Sequence, residues 1–173
     1  GLSTRIALTY KANAYTYNIS YESAPNGNRS GTAGYYNNLY FKEISKKDGF
    51  ESDDTLGDAF SDEAKMKVIE DFKASGRKID LLVYSVASGV RVDPLDGIKY
   101  MSALKPIGDS YSGYNVDIIK KSISPMTLQS ATEEEIAHTV KVMGGEDYLR
   151  WAQFISEAGL FNQGAQCVTY TYF

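Results

Sequence analysis

Residues 61–84 read SDEAKMKVIEDFKASGRKIDLLVY and predict a helix followed directly by a strand. Ser61 is a typical N-cap residue, and the two acids after it suit the positive end of a helix. Val68, Ile69 and Phe72 form an apolar stripe at helical spacing, so we expect the helix to end just before the glycine. The run IDLLVY is short and almost wholly apolar, which is typical of a parallel strand covered on both faces.

Helices and strands alternate on both sides of this stretch. Before it, the sequence predicts a helix at 2–11, a strand at 15–21, a helix at 36–47 and a strand at 50–56. After it come a helix that begins with a capping box of Thr132 and Glu135 and ends at the Gly144-Gly145 pair, a helix at 146–158 and a strand at 166–173. We expect Ile136, Val140 and Met143 to form the apolar side of the first of these. Because strands alternate with helices, the sequence predicts an α/β fold with a doubly wound, mostly parallel sheet. Glycines and short β-prone pieces indicate a β-hairpin insertion at about 99–128.

Composition restricts the function classes. The chain has 173 residues, which is the length of one domain. It has 18 basic and 22 acidic side chains, so it lacks the excess of positive charge that nucleic-acid binding needs. Its apolar runs are too short to cross a membrane. Cys167 and His138 are the single residues of their types, which excludes an internal disulfide and a Cys/His zinc site and suits a cytoplasmic location. We expect His138 to be solvated and Cys167 to act as a small apolar strand residue.

Candidate ligand contacts follow the ends of the predicted strands, where open α/β sheets bind their ligands. Glu22 lies about 20 residues after Gly1. At this spacing, a carboxylate can accept hydrogen bonds from the ribose hydroxyls of NAD. A solvated Glu at a strand end remains the simpler interpretation. Asp58 is either an adenine contact or a residue that stabilises the turn before a helix. The small residues at 85–88 permit close approach of a ligand but also suit a tight loop.

Several of these motifs resemble one enzyme family, the NADH-dependent trans-2-enoyl-CoA reductases and the similar FabV-type enoyl-acyl-carrier-protein reductases. The resemblance runs from end to end of the chain. It is carried by Gly1-Leu2 with Arg5-Ile6, by Tyr21-Glu22, by GTAGYYNN at 31–38, by GDAFSDE at 57–63, by DLLVYSVAS at 80–88 with Arg91, by LKPIG at 104–108 and by VKVMGGED at 140–147.

The resemblance implies a role for each group, in a Rossmann-like domain that binds NADH. Tyr21 and Glu22 would contact the adenosine ribose, Asp58 and Ala59 the adenine side, and Val86 and Ala87 the nicotinamide side. Tyr172 would belong to the substrate pocket. The substrate would be a trans-2-enoyl group carried by coenzyme A or by acyl carrier protein, without nucleic acid, membrane or metal.

The same resemblance implies that residues 1–173 form one partial domain of a longer, monomeric protein. The strand with the glycine-rich turn would precede Gly1, and the catalytic Tyr and Lys would follow Phe173. We therefore expect the parent to be an enoyl reductase of fatty acid synthesis and this piece to be inactive and poorly soluble alone. Another short-chain-type NAD(P) oxidoreductase and a non-catalytic nucleotide-binding module remain alternatives.

Overall fold

The structure is a computed structural model that describes residues 2–86 and 88–170. Its helices are α1 (Leu2–Ala12), α2 (Ala33–Lys47), α3 (Asp62–Ser75), α4 (Glu133–Met143) and α5 (Glu146–Glu157). Its strands are β1 (Thr16–Ser20), β2 (Ser52–Leu56), β3 (Ile79–Tyr84), β4 (Val90–Val92), β5 (Lys99–Met101), β6 (Tyr111–Asp117), β7 (Ser122–Leu128) and β8 (Phe161–Thr169). None of the helices in these ranges is both long and apolar enough to cross a membrane.

The chain divides into two compact units. Unit 1 comprises residues 1–86 and 148–173, and unit 2 comprises residues 87–147. In unit 1, β1 pairs in parallel with β2, and β3 pairs in parallel with β8. Helices connect these strands, so the predicted α/β class with parallel pairing is confirmed.

Alternate residues of β1 face two different helical layers, as strand geometry requires. The Thr16 hydroxyl accepts a hydrogen bond from Arg5 of α1, and the Ser20 hydroxyl accepts one from Asn38 of α2. On the opposite face, Tyr17 packs against an apolar cluster that includes Val68 and Phe72 of α3. Its phenol donates a hydrogen bond to Asp71, also of α3, at 2.5 Å. Helices therefore cover both faces of this strand pair, which is the doubly wound arrangement expected from the sequence.

The core of unit 1 lies where α3 and α5 meet the strands. Its buried members are Val68, Phe72, Ile79, Trp151, Ile155 and Leu160. Ser61 caps α3 as predicted, since its hydroxyl accepts a hydrogen bond from the Ala64 amide. Gly76 ends the same helix with φ +66°, a backbone conformation that favours glycine.

Unit 2 consists of two antiparallel hairpins and α4. Strand β4 pairs with β5, and β6 pairs with β7, so a hairpin does occur within the predicted insertion. The expected capping box of α4 is present: the Thr132 hydroxyl accepts from the Glu135 amide, and the Glu135 carboxylate accepts from the Thr132 amide. Gly144 is the residue at which α4 ends.

Four local predictions need correction. Val142 is the buried residue of α4, whereas Val140 and Met143, expected on its apolar side, are 61% and 56% exposed. The side of α4 that is covered is therefore the one bearing Val142.

Strand β3 is not covered along its whole length, because Leu81 is 38% exposed. Cys167 lies in β8 as expected but is exposed.

Strand β8 also begins earlier than predicted, at Phe161 rather than Gln166. Its pairing with β3 is irregular at that end, because Ile79 opposes Phe161 while Leu81 opposes Gln166. Gly164 lies within the irregular segment with φ +80°. Regular pairing starts at Gln166, which is the residue from which the sequence predicted the strand.

Candidate active site

The ends of β1 and β2 lie side by side and bring two of the predicted contact segments together. Ser20 opposes Leu56 in the parallel register, and the next residue along, Gly57, donates its amide hydrogen to the Ser20 carbonyl at 3.0 Å. The Tyr21-Glu22 pair and Asp58 therefore continue from neighbouring positions at the carboxyl edge of this strand pair. The side chain of Tyr21 is 85% exposed.

A loop folds back from Glu22 to the start of α2. The Thr32 amide donates to the Ser23 carbonyl at 3.0 Å, and the Thr32 hydroxyl accepts from the Ser23 amide at 3.1 Å. At Gly31 a side chain would lie 2.9 Å from the Ser23 carbonyl, so a glycine is needed for this close approach. These contacts place the Glu22 carboxylate beside Gly34, in the first turn of α2.

Asp58 stabilises the turn that leads into α3. Its carboxylate accepts a hydrogen bond from the Phe60 amide at 2.9 Å, and its carbonyl accepts from both the amide and the hydroxyl of Ser61. This is an Asx turn followed by a helix cap. Of the two interpretations that the sequence left open for Asp58, the turn role is thus present in the structure, while contact with an adenine stays a prediction.

Two side chains hold the peptide of Ala59 from the core side. Trp151 donates its indole hydrogen to the Ala59 carbonyl at 2.9 Å, and the Lys65 ammonium donates to the same oxygen at 3.1 Å. Lys65 has no exposed side-chain surface and also donates to the Phe60 and Ser61 carbonyls. The loop after β2 is therefore fixed in position by buried donors.

A groove of about 680 Å³ lies in unit 1 between β1 and β3. Its lining includes residues 15–19 and 78–86, together with Ala59, Phe72 and Trp151. One edge of β1 pairs with β2, and one edge of β3 pairs with β8. Among the described residues, β2 and β8 do not line the groove, so the groove follows the other edges of β1 and β3, which have no strand partner in the described part of the chain. An unpaired strand edge exposes a row of amide and carbonyl groups, so these two edges can accept a further strand.

The predicted contact residues thus fall into two places. Ala59 and Val86 share the lining of the groove, whereas Glu22 and Asp58 lie at the adjoining ends of β1 and β2. Ala87 and Tyr172 lie outside the described residues, so their predicted roles stay predictions.

Buried charge beside β1 has no counterpart in the sequence-based expectations. Arg5 is 5% exposed, donates to the Asp53 carbonyl at 2.8 Å and pairs with the Asp54 carboxylate at 3.9 Å. Burial lowers the pKa of the Arg5 guanidinium, and the charges of Asp54 and Asp53 oppose that shift. On the other face, burial raises the pKa of the Tyr15 and Tyr17 phenols.

No role was predicted for Lys65, Gly34 or Arg5, although all three are central to these contacts. Lys65 and Arg5 occur at positions where a helix pattern alone predicts a solvated cation. Gly34 falls within GTAGYYNN, one of the motifs that carries the family resemblance, and that motif was the available signal.

Parallel strands with helices on both faces define a doubly wound α/β domain, a class that binds its ligands at the carboxyl ends of the strands. Residues 29–173 match the family of the trans-2-enoyl-CoA reductase catalytic region, and the chain belongs to this family. It is 45% identical over 172 residues to the trans-2-enoyl-CoA reductase [NADH] of Treponema denticola, covering 99% of this chain and 43% of that protein. It is 43% identical to the enoyl-[acyl-carrier-protein] reductase [NADH] of Saccharophagus degradans, covering 99% of this chain and 44% of that protein.

Solved structures agree with this assignment. The T. denticola trans-2-enoyl-CoA reductase in complex with NAD superposes with a TM-score of 0.92 at 45% identity, over 99% of this chain and 43% of that one. The enzyme from Clostridium acetobutulicum in complex with NADH gives 0.90 at 40% identity, over 100% of this chain and 44% of that one. The chain thus spans less than half the length of the relatives it matches.

Proposed function

We propose that the protein containing this chain reduces the C2=C3 double bond of trans-2-enoyl thioesters with NADH, in fatty acid synthesis. The observation that carries the proposal is the likeness to NADH-dependent enoyl reductases across 99% of the chain, together with a TM-score of 0.92 to an NAD complex. The strand-end residues described above fit the adenosine part of such a cofactor in chemical type.

Within this proposal, the residues at the ends of β1 and β2 bind the adenosine half of the cofactor. The Glu22 carboxylate accepts hydrogen bonds from the ribose hydroxyls and repels the 2′-phosphate of NADPH. Asp58 and Ala59 contact the adenine side. The buried donors Lys65 and Trp151 keep the Ala59 peptide in place for that contact.

The residues after β3 bind the reactive half. Val86 and Ala87 line the nicotinamide side, and Tyr172 contributes to the substrate pocket. When bound, NADH supplies the hydride that reaches the β-carbon of the substrate. The thioester oxygen then carries negative charge and needs a hydrogen-bond donor, and the α-carbon takes up a proton.

The groove between β1 and β3 supports the expectation that one more strand completes the sheet. We propose that a strand from the remainder of the protein, ending in a glycine-rich turn, occupies this groove and pairs with both unpaired edges. The catalytic Tyr and Lys likewise belong to the remainder, after Phe173. Residues 1–173 therefore form one partial domain that lacks activity alone.

The parent protein is proposed to be a cytoplasmic monomer. A single cysteine suits a reducing compartment. The thioester carrier is coenzyme A or acyl carrier protein, in keeping with the names of the relatives.

Steady-state assays of two purified proteins test the proposal. The full-length parent and the 173-residue chain are mixed with crotonyl-CoA, and oxidation of NADH is followed by absorbance. We expect turnover by the parent and none by the chain. Turnover by the chain would refute the claim that essential groups lie outside it. A parent that binds NADH without turnover would favour the non-catalytic module instead.

A further inference from the structure

The Glu22 carboxylate occupies the space that a side chain at position 34 would fill. A Cβ atom added to Gly34 would lie no farther than 2.7 Å from any of the three carboxylate atoms. Carbon and oxygen atoms that are not bonded to each other do not approach so closely in folded proteins. Glycine at position 34 is therefore required for the observed position of the carboxylate.

The first turn of α2 explains why a carboxylate lies there. The amide groups at the start of a helix lack partners within the helix and carry partial positive charge. Thr32 is the N-cap residue, yet its hydroxyl makes no capping hydrogen bond because it is engaged by Ser23. The first turn of α2 contains no acidic residue. Glu22, from the end of β1, supplies the negative charge in this position instead.

We infer that Gly34 is a positioning residue that determines cofactor specificity by fixing the Glu22 carboxylate. The inference rests on the proposed function, in which Glu22 selects NADH over NADPH. Any larger residue at position 34 displaces the carboxylate from the start of α2, and the side chain of Glu22 then moves away from the site of the ribose hydroxyls.

This effect is separable from an effect on folding. Gly34 is not among the glycines with positive φ, so alanine is compatible with its backbone. Alanine also favours a helix more than glycine does. The atoms that must move belong to the flexible end of one side chain. Gly34→Ala is therefore expected to leave the thermal midpoint nearly unchanged while altering specificity.

The main experiment measures the dissociation constants of NADH and NADPH for the full-length parent and its variants. Gly34→Ala is expected to lower the preference for NADH roughly tenfold. Glu22→Gln should lower it similarly, and adding Gly34→Ala to Glu22→Gln should change little more. The shorter side chain of Glu22→Asp, combined with Gly34→Ala, should restore part of the preference. The matched control is Gly145→Ala, since a Cβ there meets nothing within 4 Å.

A wild-type preference in Gly34→Ala would overturn the inference. If Glu22→Gln leaves the preference unchanged, the role of Glu22 in the proposed function fails, and the position of the carboxylate is tested separately. For that purpose, the carboxyl carbon resonance of Glu22, assigned by its loss in Glu22→Gln, is compared in the full-length parent with and without Gly34→Ala. A shifted resonance supports the positioning role of Gly34, and an unshifted one overturns it.

Discussion

The two units of the chain differ in their apolar cores, although both bury charged side chains. Unit 1 has a continuous apolar cluster built on α3 and α5. In unit 2, the fully buried side chains include Arg91 and Asp93, and the hairpin of β6 and β7 exposes most of its apolar residues. Apolar burial stabilises a fold regardless of pH, whereas buried ion pairs depend on the charge of each partner. The comparison therefore predicts that the two units respond differently to core truncation and to acid.

The ion cluster of unit 2 joins its strands to its helix. Arg91 donates to the Glu146 carboxylate at 2.8 Å and to the Asp93 carboxylate at 3.3 Å. Lys141 lies 2.6 Å from the other Asp93 oxygen and donates to Glu146 at 2.9 Å. The hydrogen bond to Asp93 is the largest cause of the raised pKa of Lys141. Each charge in the cluster thus has an opposite charge beside it.

The largest expected effect is that of Trp151→Ala in unit 1. Trp151 is 4% exposed and belongs to the apolar cluster, and its removal also leaves the Ala59 carbonyl without its indole donor. We expect the free energy of unfolding to fall by about 3–5 kcal/mol. Hydrogen exchange should show loss of protection in β1 and β3. Leu149→Ala on the same helix is the control, because Leu149 is 65% exposed. Equal losses for the two variants would contradict this account of the core.

The next largest effect is expected for Asp93→Ala in unit 2. The side chain of Asp93 has no exposed surface, and its loss leaves Arg91 buried without one of its anionic partners. We expect a loss of about 3 kcal/mol, because removal of one member of a buried pair leaves the other uncompensated. Hydrogen exchange in β4, β5 and α4 is the measurement. Asp96→Ala in the same segment, where the carboxylate is exposed, should cost much less.

Acid should destabilise unit 2 through the same carboxylate. Burial opposes ionisation of Asp93, but its contacts with Lys141, the Leu95 amide and Arg91 outweigh burial, and its pKa in the folded state is lowered. A lowered folded pKa gives stability that is present above the unfolded value of about 3.9 and is lost as the pH falls through the folded value. Protection of unit 2 should therefore decrease below about pH 4. In Asp93→Asn this decrease should be smaller, and an unchanged pH profile in that variant would contradict the assignment.

The smallest effect concerns the capping box of α4. Thr132→Ala removes the acceptor for the Glu135 amide and should cost about 1 kcal/mol. Thermal unfolding of the two proteins measures this difference. Thr132→Ser keeps the hydroxyl and serves as the control. A stability for the alanine variant equal to that of the serine variant would show that the cap contributes nothing.

Local signals in the sequence predicted most elements of the fold. The Ser61 cap, the capping box at Thr132 and the strand that forms β1 each depend on residues close together in the chain, so they were predicted correctly. The apolar side of α4 was predicted wrongly, because helical spacing alone does not show which side of a helix meets the rest of its unit. The buried cations Arg5 and Lys65 were missed for the same reason: their partners come from contacts that only the folded chain makes.

The candidate site divides in the same way. The motifs containing Glu22, Asp58, Ala59 and Val86 were found from the sequence, and the family resemblance gave each a predicted role. The dependence of Glu22 on Gly34 was not visible, since it arises from the packing of the loop after β1 against the first turn of α2.

The sequence by itself determined the α/β class, the caps of α3 and α4, the family and the candidate contact residues, because each of these is encoded in local patterns or in short motifs. Only the tertiary structure decided which strand edges are unpaired, which cations are buried, and what space remains at Gly34. These properties depend on distances between segments that lie far apart in the chain, and side-chain packing sets those distances.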